Sequence, residues 1–335
     1  MKKLVSICVG LCVLSNTVVS AQSFISPNFL EQPASAHLAA LGGNNISFSG
    51  KDIAFSFSNP ALLSLQHSNE LSLNVASYFA GTGYGSGLYS HSIAEKGMWS
   101  AGFQYIDYGQ FEGFDEFGVG TGSFSAKDIA LQMTYAHRLN PYFSIGATLK
   151  PVLGVYERYT LFALASDFGI LFVDEESQLQ IGFTARNIGA QFAGYESAEP
   201  SSLLPLNISV GVSKRLTHAP FVFHLTMQQL QRWNYDVSTN VVPDNELSFA
   251  SLLARHFIVG VDVLPPSERF WLALSYNFLR GQELPVPELF SLAGFSGGIG
   301  FYIRDVELGI GFGSYHQAAT TLHISLRTDL SKFGL

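Results

Sequence analysis

The side chains that most often perform chemistry are present in this chain, but their spacing matches no common catalytic or metal-binding set. The nine histidines include no pair at positions i and i+4, the arrangement by which a helix holds zinc. Both cysteines, Cys8 and Cys12, lie near the start, so the rest of the chain has no thiolate that could bind metal or attack a substrate. We therefore predict no serine or cysteine nucleophile, no metal site, no cofactor and no enzyme activity.

Two other patterns have both a chemical and a non-chemical interpretation. Glu112, Asp115 and Glu116 lie together in a run rich in Gly and Phe. They could form a catalytic pair, an acidic loop that binds a divalent cation or a basic partner, or a solvated loop. None of the Gly-x-Gly runs is followed by the helix that a phosphate-binding loop requires, which favours hairpin tips and small wall residues at Gly81–Gly87, Gly118–Gly122 and Gly309–Gly313.

The elements that would position such groups are strands with one apolar face and one polar face. In one segment after another, apolar residues alternate with polar or small ones, as Ile181 and Phe183 do with Gln180 and Thr184. Successive side chains of a strand point to opposite faces. The pattern is typical of an outer-membrane β-barrel, with apolar side chains toward lipid and polar side chains toward the lumen. The side chains predicted to face lipid include Trp99, Phe103, Phe183 and Phe223.

The start of the chain and its composition favour export to a membrane. Lys2 and Lys3 precede an apolar run, and a small-residue cleavage site ends at Ala21, so residues 1–21 are predicted to be a secretory signal peptide. Charged residues make up only 13% of the chain, and aromatic residues make up another 13%. A soluble domain of this length would carry more charge. The net charge of −8 argues against nucleic acid as a partner.

The alternating segments predict an all-β transmembrane fold of about 14 antiparallel strands, with short helices in some loops. An even number suits a closed single-chain barrel. The predicted strands begin near Glu70, Gly83, Gly97, Ala126, Pro141, Tyr159, Ser177, Leu206, Ala219, His256, Arg269, Phe295, Asp305 and Ala319.

The links between these strands predict an orientation. Links after even-numbered strands are short, and the long ones follow the third, seventh, ninth and eleventh strands: Gly109–Ser125, Ala190–Pro205, Gln229–Arg255 and Arg280–Gly294. Outer-membrane barrels have short periplasmic turns and longer external loops, so the long links are predicted to be external. A further strand at Lys51–Phe57 would reverse this assignment.

The stretch from Gln22 to Gln66 lacks the alternation. An Ala-rich, helix-compatible run ends at Gly42-Gly43, and Asn59, Pro60 and Ala61 indicate a cap followed by a short helix that starts with Pro. Two alternatives remain open: a plug, or hatch, folded against the barrel, and a periplasmic cap. The predicted organisation is a signal peptide over 1–21, a plug or cap over 22–66, and a transmembrane barrel over 67–335.

Two of the long links contain apolar side chains that need burial, in the barrel mouth or against a partner protein. A helix capped by Asn245 is predicted over Asp244–Arg255, with an apolar stripe formed by Leu247, Phe249, Leu252 and Leu253. The other link carries Leu284, Leu289 and Phe290. These seven side chains are the predicted partner contacts.

Several stretches resemble known outer-membrane barrels. The small-residue run Pro33–Gly43, then Asp52 and Asn59-Pro60-Ala61, resembles the opening of FadL-like fatty-acid transporters and of the PorV, PorQ and PorP proteins of Bacteroidota. A longer ordered set is similar to the PorQ family in particular: Tyr105-x-x-Tyr108-Gly109 with Phe111, Asp115-Glu116-Phe117-Gly118, Gly122-x-Phe124, Ala185-Arg186-Asn187-Ile188-Gly189, Leu204-Pro205 and His218-Ala219-Pro220-Phe221. The resemblance covers nearly the whole chain after the signal peptide.

The PorQ resemblance implies a non-enzymatic component of the type IX protein secretion system, in the outer membrane of a Gram-negative bacterium of the Bacteroidota. In that system a PorU-like sortase attaches cargo to anionic lipopolysaccharide, a PorV-like barrel shuttles cargo, and PorQ anchors a PorZ-like peripheral subunit. The resemblance therefore implies these three proteins, outer-membrane lipids and lipopolysaccharide as partners. The family has no motif that assigns individual contact residues.

The alternative function is a FadL-like channel for hydrophobic small molecules. The shape and polarity of the lumen distinguish the channel from the anchor. A channel needs a continuous apolar pocket that leads to a strand kink or a lateral gap, and an anchor does not.

Overall fold

A computed structural model shows a closed antiparallel β-barrel. It describes residues 28–78, 81–94, 97–157, 159–193, 203–233, 248–267, 269–282, 292–316 and 319–333. Each strand pairs with the next along the chain, and β1 pairs with β14 to close the wall. The described strands are β1 (Glu70–Ser77), β2 (Gly83–Ala94), β3 (Gly97–Phe114), β4 (Gly120–Arg138), β5 (Phe143–Tyr156), β6 (Tyr159–Asp174), β7 (Leu179–Ala193), β8 (Asn207–Arg215), β9 (Phe221–Met227), β10 (Phe257–Val263), β11 (Phe270–Asn277), β12 (Phe295–Ile303), β13 (Val306–His316) and β14 (Ala319–Asp329). This confirms the predicted 14-stranded barrel.

The helices within the described ranges are short. The α-helices are α1 (Ala36–Ala40), α2 (Phe249–Ala254) and α3 (Phe278–Gln282). One-turn 3-10 helices lie at Asn28–Glu31, Ile53–Phe57, Pro60–Leu62, Leu65–His67 and Leu330–Phe333. Among the residues described, no helix has the length and apolar character needed to span a bilayer.

The wall has the two alternating faces that the sequence predicts. In β4, Leu131 and Met133 are 52% and 67% exposed, whereas Gln132 and Thr134 beside them are each 4% exposed. The exposed apolar side chains form the belt that lipid covers, and the buried polar side chains line the lumen. Of the side chains predicted to face lipid, Trp99 is half-buried, and the others lie on the exposed face: Phe103, Phe183 and Phe223.

One predicted loop is instead a hairpin. β4 begins at Gly120 rather than near Ala126, and most of the predicted link Gly109–Ser125 belongs to β3 and β4. The ladder breaks beside Gly109, whose φ of +88° forms a bulge, and then resumes. Phe111 and Phe124 lie opposite each other in the resumed ladder, with ring centroids 5.5 Å apart. A cross-strand aromatic pair of this kind stabilises a two-stranded ribbon where the glycines of the sequence predict a loop.

The alternative strand at Lys51–Phe57 is wrong. Ile53–Phe57 forms a 3-10 helix, because the Asp52 carboxylate accepts the backbone N–H of Ala54 at 2.9 Å and caps it. The order of short and long links therefore remains as predicted, with long links after β7, β9 and β11 at one end of the barrel. That this end is external remains a prediction.

Candidate functional site: the barrel lumen

The lumen contains the part of the chain that precedes β1. This N-terminal segment (residues 28–67) contacts strands around the circumference of the wall and is buried over most of its length. Glycines in the wall make room for it: a Cβ at Gly182 of β7 would overlap the backbone of Ile46, and one at Gly311 of β13 would overlap that of Ala36. Inward-facing serines bind its backbone, since Ser275 donates to the carbonyl of Ala40 at 2.7 Å.

α1 lies against β11–β14 inside the barrel. It begins where the Ser35 side chain accepts the N–H of Leu38 at 3.1 Å. It ends before Gly42, whose φ of +81° is the left-handed conformation that favours glycine. All five residues of α1 are buried. An all-round buried helix of this size has no lipid-facing or solvent-facing side, so its single polar side chain, His37, must bind within the lumen.

His37 joins α1 to the wall through one carboxylate shared by two histidines. His37 Nε2 lies 2.9 Å from Asp262 Oδ1 on β10, and His224 Nε2 on β9 lies 3.1 Å from Asp262 Oδ2. The His37 ring stacks on Trp271 of β11, with centroids 4.1 Å apart. All four side chains are buried. A buried carboxylate requires partners of this kind, so the arrangement fixes the position of α1 in the lumen.

A second buried network lies beside the first and crosses the closing strands. Arg327 on β14 binds Glu70 on β1 at 2.7 Å and Glu307 on β13 at 2.6 Å. Trp271 donates to Glu307 at 2.6 Å, and this bond links the two networks. A cavity of about 10 Å³ between the networks also reaches Asp52 of the N-terminal segment, and it has room for one water molecule.

A third ion pair lies on the opposite side of the lumen. Lys150 of β5 binds Asp167 of β6 at 2.7 Å and also donates to the side-chain oxygen of Asn187 at 2.7 Å. Asn187 has a φ of +58° at the register shift between β6 and β7, and its N–H donates to Asp167 at 2.8 Å. Asn187 belongs to the Ala185–Gly189 stretch, which therefore forms a β-bulge stabilised by Lys150 and Asp167.

The predicted Asn-Pro-Ala element lies in the lumen. Asn59 Oδ1 accepts the N–H of Ala61 at 3.0 Å and caps the helix Pro60–Leu62, and Asn59 Nδ2 donates to the carbonyl of Ile46 at 2.7 Å. Pro60 packs against Gly146 of β5, where an added Cβ would overlap its backbone. The element therefore both caps a helix and ties two parts of the N-terminal segment together.

His67 closes the N-terminal segment just before β1. Burial lowers the pKa of His67 to about 4, so the ring is neutral at neutral pH. Its Nδ1 accepts the N–H of Ser64 at 3.2 Å, and its Nε2 donates to the carbonyl of Gly50 at 2.9 Å. A neutral ring with its proton on Nε2 satisfies both bonds.

A different kind of contact occurs where the segment begins. Phe29 and Leu30 belong to a buried apolar cluster with side chains from β1–β6 and from the link after β7. We call this the apolar interior region; its wall side chains are Ala76, Tyr84, Ile106, Ala130, Val152, Leu161, Ala163, Ala165 and Leu204. At its edge, Tyr108 and Tyr156 donate to the Asp128 carboxylate at 2.8 and 2.5 Å. The region is thus apolar with one polar rim, a combination common in small-molecule sites.

The structure describes only some of the predicted partner contacts. α2 is shorter than predicted and is capped by Ser248, while Asn245 lies outside the described residues. Phe249 is 70% exposed and stacks on Trp233 at 6.3 Å, and Leu252 and Leu253 are half-buried. The remaining predicted contacts, Leu247, Leu284, Leu289 and Phe290, lie outside the described residues.

The other chemical patterns form no recognisable site. The expectation that no run has catalytic spacing is wrong at one place: Gly294–Gly298 reads Gly-x-Ser-x-Gly, the spacing of a nucleophile elbow. Ser296 nevertheless lies within β12 rather than on a turn from a strand to a helix. In the described ranges, no three His, Cys, Asp or Glu side chains are arranged to hold a metal ion. The Asp115 carboxylate accepts two backbone N–H groups in the β3–β4 turn. It therefore stabilises the turn, whichever of the predicted functions the acidic run has.

Comparison with known proteins shows similarity of fold. No protein-family model and no curated protein matches the chain. Among solved structures, a TodX monoaromatic hydrocarbon channel with the deltaS2S3 mutation has a TM-score of 0.57 at 12% identity over 89% of this chain and 99% of its own. The toluene transporter TbuX of Ralstonia pickettii has a TM-score of 0.53 at 12% identity, over 90% and 99% of the two chains.

A FadL homologue of Pseudomonas aeruginosa is similar over the same extent, with a TM-score of 0.51 at 9% identity over 89% of this chain and 98% of its own. These identities are too low to transfer a function, but the shared architecture extends over nearly the whole of each chain. The protein therefore has the fold of the FadL-like outer-membrane barrels.

Proposed function

We propose that this protein is an outer-membrane channel that binds hydrophobic small molecules. The apolar interior region carries the proposal, because Phe29 and Leu30 fill a volume that an apolar ligand of similar size could occupy. The solved structures with the same fold include channels for monoaromatic hydrocarbons, and they support the same class of ligand.

The physical basis is the exchange of one apolar group for another. Replacing Phe29 by a ligand in the same surroundings keeps the apolar contacts, so the exchange costs little free energy. The polar rim of Asp128, Tyr108 and Tyr156 would orient a ligand that carries one polar group. The rest of the N-terminal segment occupies the lumen elsewhere, so we propose that it acts as a plug that must move before a ligand can pass.

Uptake by intact cells tests this proposal. A strain without the gene, complemented with the wild-type chain, should take up labelled toluene and octanoate faster than the strain without it. Ala163→Phe, which fills the apolar interior region, should lower uptake at least tenfold. Ala136→Phe is the matched control, because Ala136 is an equally buried alanine of β4 that packs with Leu63 and Met98 instead.

Both variants must reach the membrane as folded barrels, which heat-dependent migration in gel electrophoresis shows. Equal uptake in the presence and absence of the gene would overturn the proposal. Equal loss in the two variants would show that Ala163 has no special position along a ligand route.

A second candidate is the anchor function in type IX secretion, and two observations favour it. The N-terminal segment is tied to the wall by the buried His37–Asp262 pair, and the Arg327 network joins the wall strands beside it, which suits a barrel that stays closed. Phe249 is exposed in a link at the long-loop end, where a peripheral subunit could bind. The ordered resemblance to PorQ supports the same function.

Deletion of the gene separates the two candidates. An anchor predicts that sorted cargo remains uncleaved or unattached and that a peripheral subunit leaves the cell surface, with uptake of toluene unchanged. Phe249→Ser with Leu253→Ser should then weaken retention of that subunit at normal barrel abundance. Intact sorting together with lost uptake would exclude the anchor function.

A further inference from the structure

The hairpin of β3 and β4 extends beyond the strands on either side of it. In the described ladders, β2 pairs with β3 no further than Asp107 and β5 pairs with β4 no further than Ala126. One more bond on that side joins the N–H of Glu157 to the carbonyl of Ser125 at 3.4 Å. Beyond these points, residues 110–114 and 120–125 pair with each other in the described ladders. We call residues 110–124 the β3–β4 tip. At 3.3 Å per residue, five extended residues carry it about 17 Å past its neighbours.

The tip is ordered by its own hydrogen bonds. The Asp115 carboxylate accepts the N–H of Phe117 at 2.9 Å and that of Val119 at 2.8 Å. The backbone N–H of Asp115 donates to the carbonyl of Val119 at 2.9 Å, which closes the turn. None of these bonds uses the Phe117 side chain. The turn is therefore held in one shape without help from the aromatic group it displays.

The displayed side chains are apolar and solvent-exposed. Phe117 is 86% exposed and Val119 is 61% exposed, and Phe114 and Phe111 beside them are also exposed. They lie past the last strand pairing of the neighbours, so they are separate from the lipid-facing belt of the wall. An isolated two-stranded ribbon is only marginally stable in water. Apolar groups exposed on such a ribbon mark a surface that another molecule covers.

The charge of the tip indicates which kind of molecule. Glu112, Asp115 and Glu116 are acidic, and no Lys or Arg occurs from residue 108 to residue 126. The next basic residue, Lys127, lies 3.5 Å from Asp107 and is partly neutralised there. An acidic tip is repelled by anionic lipid. It is complementary to a basic protein surface, since opposite potentials across an interface favour encounter and orientation.

We propose that the β3–β4 tip docks a protein that offers an apolar pocket for Phe117 and a rim of Lys or Arg for Glu112 and Glu116. The hydrogen bonds of the turn fix the backbone that carries Phe117 before binding, which lowers the entropic cost of association. The proposal goes beyond the proposed channel function, because it involves no ligand in the lumen. The uptake experiments on the channel function therefore do not test the docking of a partner.

Photo-crosslinking in intact cells tests the docking. A p-benzoylphenylalanine probe replaces Phe117 in one strain and Tyr142 in another; Tyr142 is an exposed aromatic residue in the turn at the opposite end of the barrel. We expect one discrete protein adduct from position 117, absent from position 142. Mass spectrometry should map it to a face of the partner that combines apolar and basic residues.

A charge-reversal cycle provides the decisive measurement. Glu112→Lys with Glu116→Lys should lower the adduct yield at least tenfold, and exchange of the partner's contacted Lys or Arg for Glu should restore it. Barrel abundance should stay unchanged, because neither side chain forms a described hydrogen bond in the turn. No adduct, an adduct with lipopolysaccharide or with a second copy of the chain, or a yield insensitive to the reversal would each overturn the proposal.

Discussion

The N-terminal segment meets the barrel wall in two chemically different ways. Around α1, ion pairs and hydrogen bonds are added to the apolar packing, with His37 on Asp262 and Trp271 linked to the Arg327 network. Around Phe29 the contacts are apolar. A buried charge is stable only with all its partners in place, whereas an apolar contact can be replaced by any apolar group of the right size. One part of the segment is therefore fixed in position, and the other is exchangeable.

The largest expected effect comes from removing the central charge of the wall network beside the fixed part. Arg327→Met leaves Glu70 and Glu307 buried without their shared partner, which should destabilise the barrel by about 3–5 kcal/mol. Denaturant unfolding in detergent micelles measures it. Leu326→Met, on the lipid-facing side of the same strand, is the control and should change stability little. If the Arg327→Met barrel were as stable as the control, the network would contribute nothing to the free energy of unfolding.

The exchangeable part should respond to an apolar ligand. Phe29→Ala removes a buried ring and should cost about 3–4 kcal/mol. A dry apolar cavity binds small aromatic molecules, so saturating toluene should restore part of the lost thermal stability. Toluene should give no such recovery in Arg327→Met. If toluene stabilised both variants equally, the contrast between the two parts of the segment would be lost.

The free-energy cost of a charge on the lipid-facing side of the wall should depend on its depth in the bilayer. Phe183→Arg places a charge in the lipid belt and should cost about 2–4 kcal/mol, whereas Phe143→Arg at the first residue of β5 should cost about 0–1 kcal/mol. Refolding into lipid vesicles at several urea concentrations gives both free energies. The inward neighbour Thr184 is unsuitable as a tolerant control, because the N-terminal segment packs beside it at Gly182. Equal costs at the two positions would contradict the prediction that Phe183 lies deeper in the lipid belt than Phe143.

The smallest expected effect is local. Asn59→Ala removes the cap of the helix Pro60–Leu62 and should cost about 1 kcal/mol. Amide exchange across residues 44–63 should become faster while exchange in β4 stays the same. Ser64→Ala, at the next cap along the chain, serves as the comparison. Unchanged exchange in Asn59→Ala would mean that other contacts alone hold this part of the segment.

The barrel could be predicted from the sequence because alternation is a local property. Ile181 and Phe183 on one face and Gln180 and Thr184 on the other indicate a strand whatever surrounds it. The glycines of Gly109–Ser125 predict a loop for an equally local reason. The Phe111–Phe124 pair that holds it as a hairpin exists only after the two strands meet.

The lumen networks could not be predicted in the same way. Glu70 and Arg327 are 257 residues apart in sequence, and His37 and Asp262 are 225 apart. No spacing rule connects residues at such distances. The available signal was the presence of Asp262, Glu307 and Arg327 at inward positions of otherwise weakly charged strands. It shows that partners must exist in the lumen but does not identify them.

The bond between Arg327 and Glu70 also bears on how the barrel is assembled. It spans the seam between the last strand and the first, where Arg327 lies opposite Ser72 and Glu70 lies opposite Asp329. A slip of one residue along this seam would turn Arg327 from the lumen to the lipid face. The charge pair thus acts as a check on closure: only the correct register satisfies it. Mis-registered barrels would remain unfinished, with a buried carboxylate and an arginine in lipid, and would be the forms that quality-control proteases meet first.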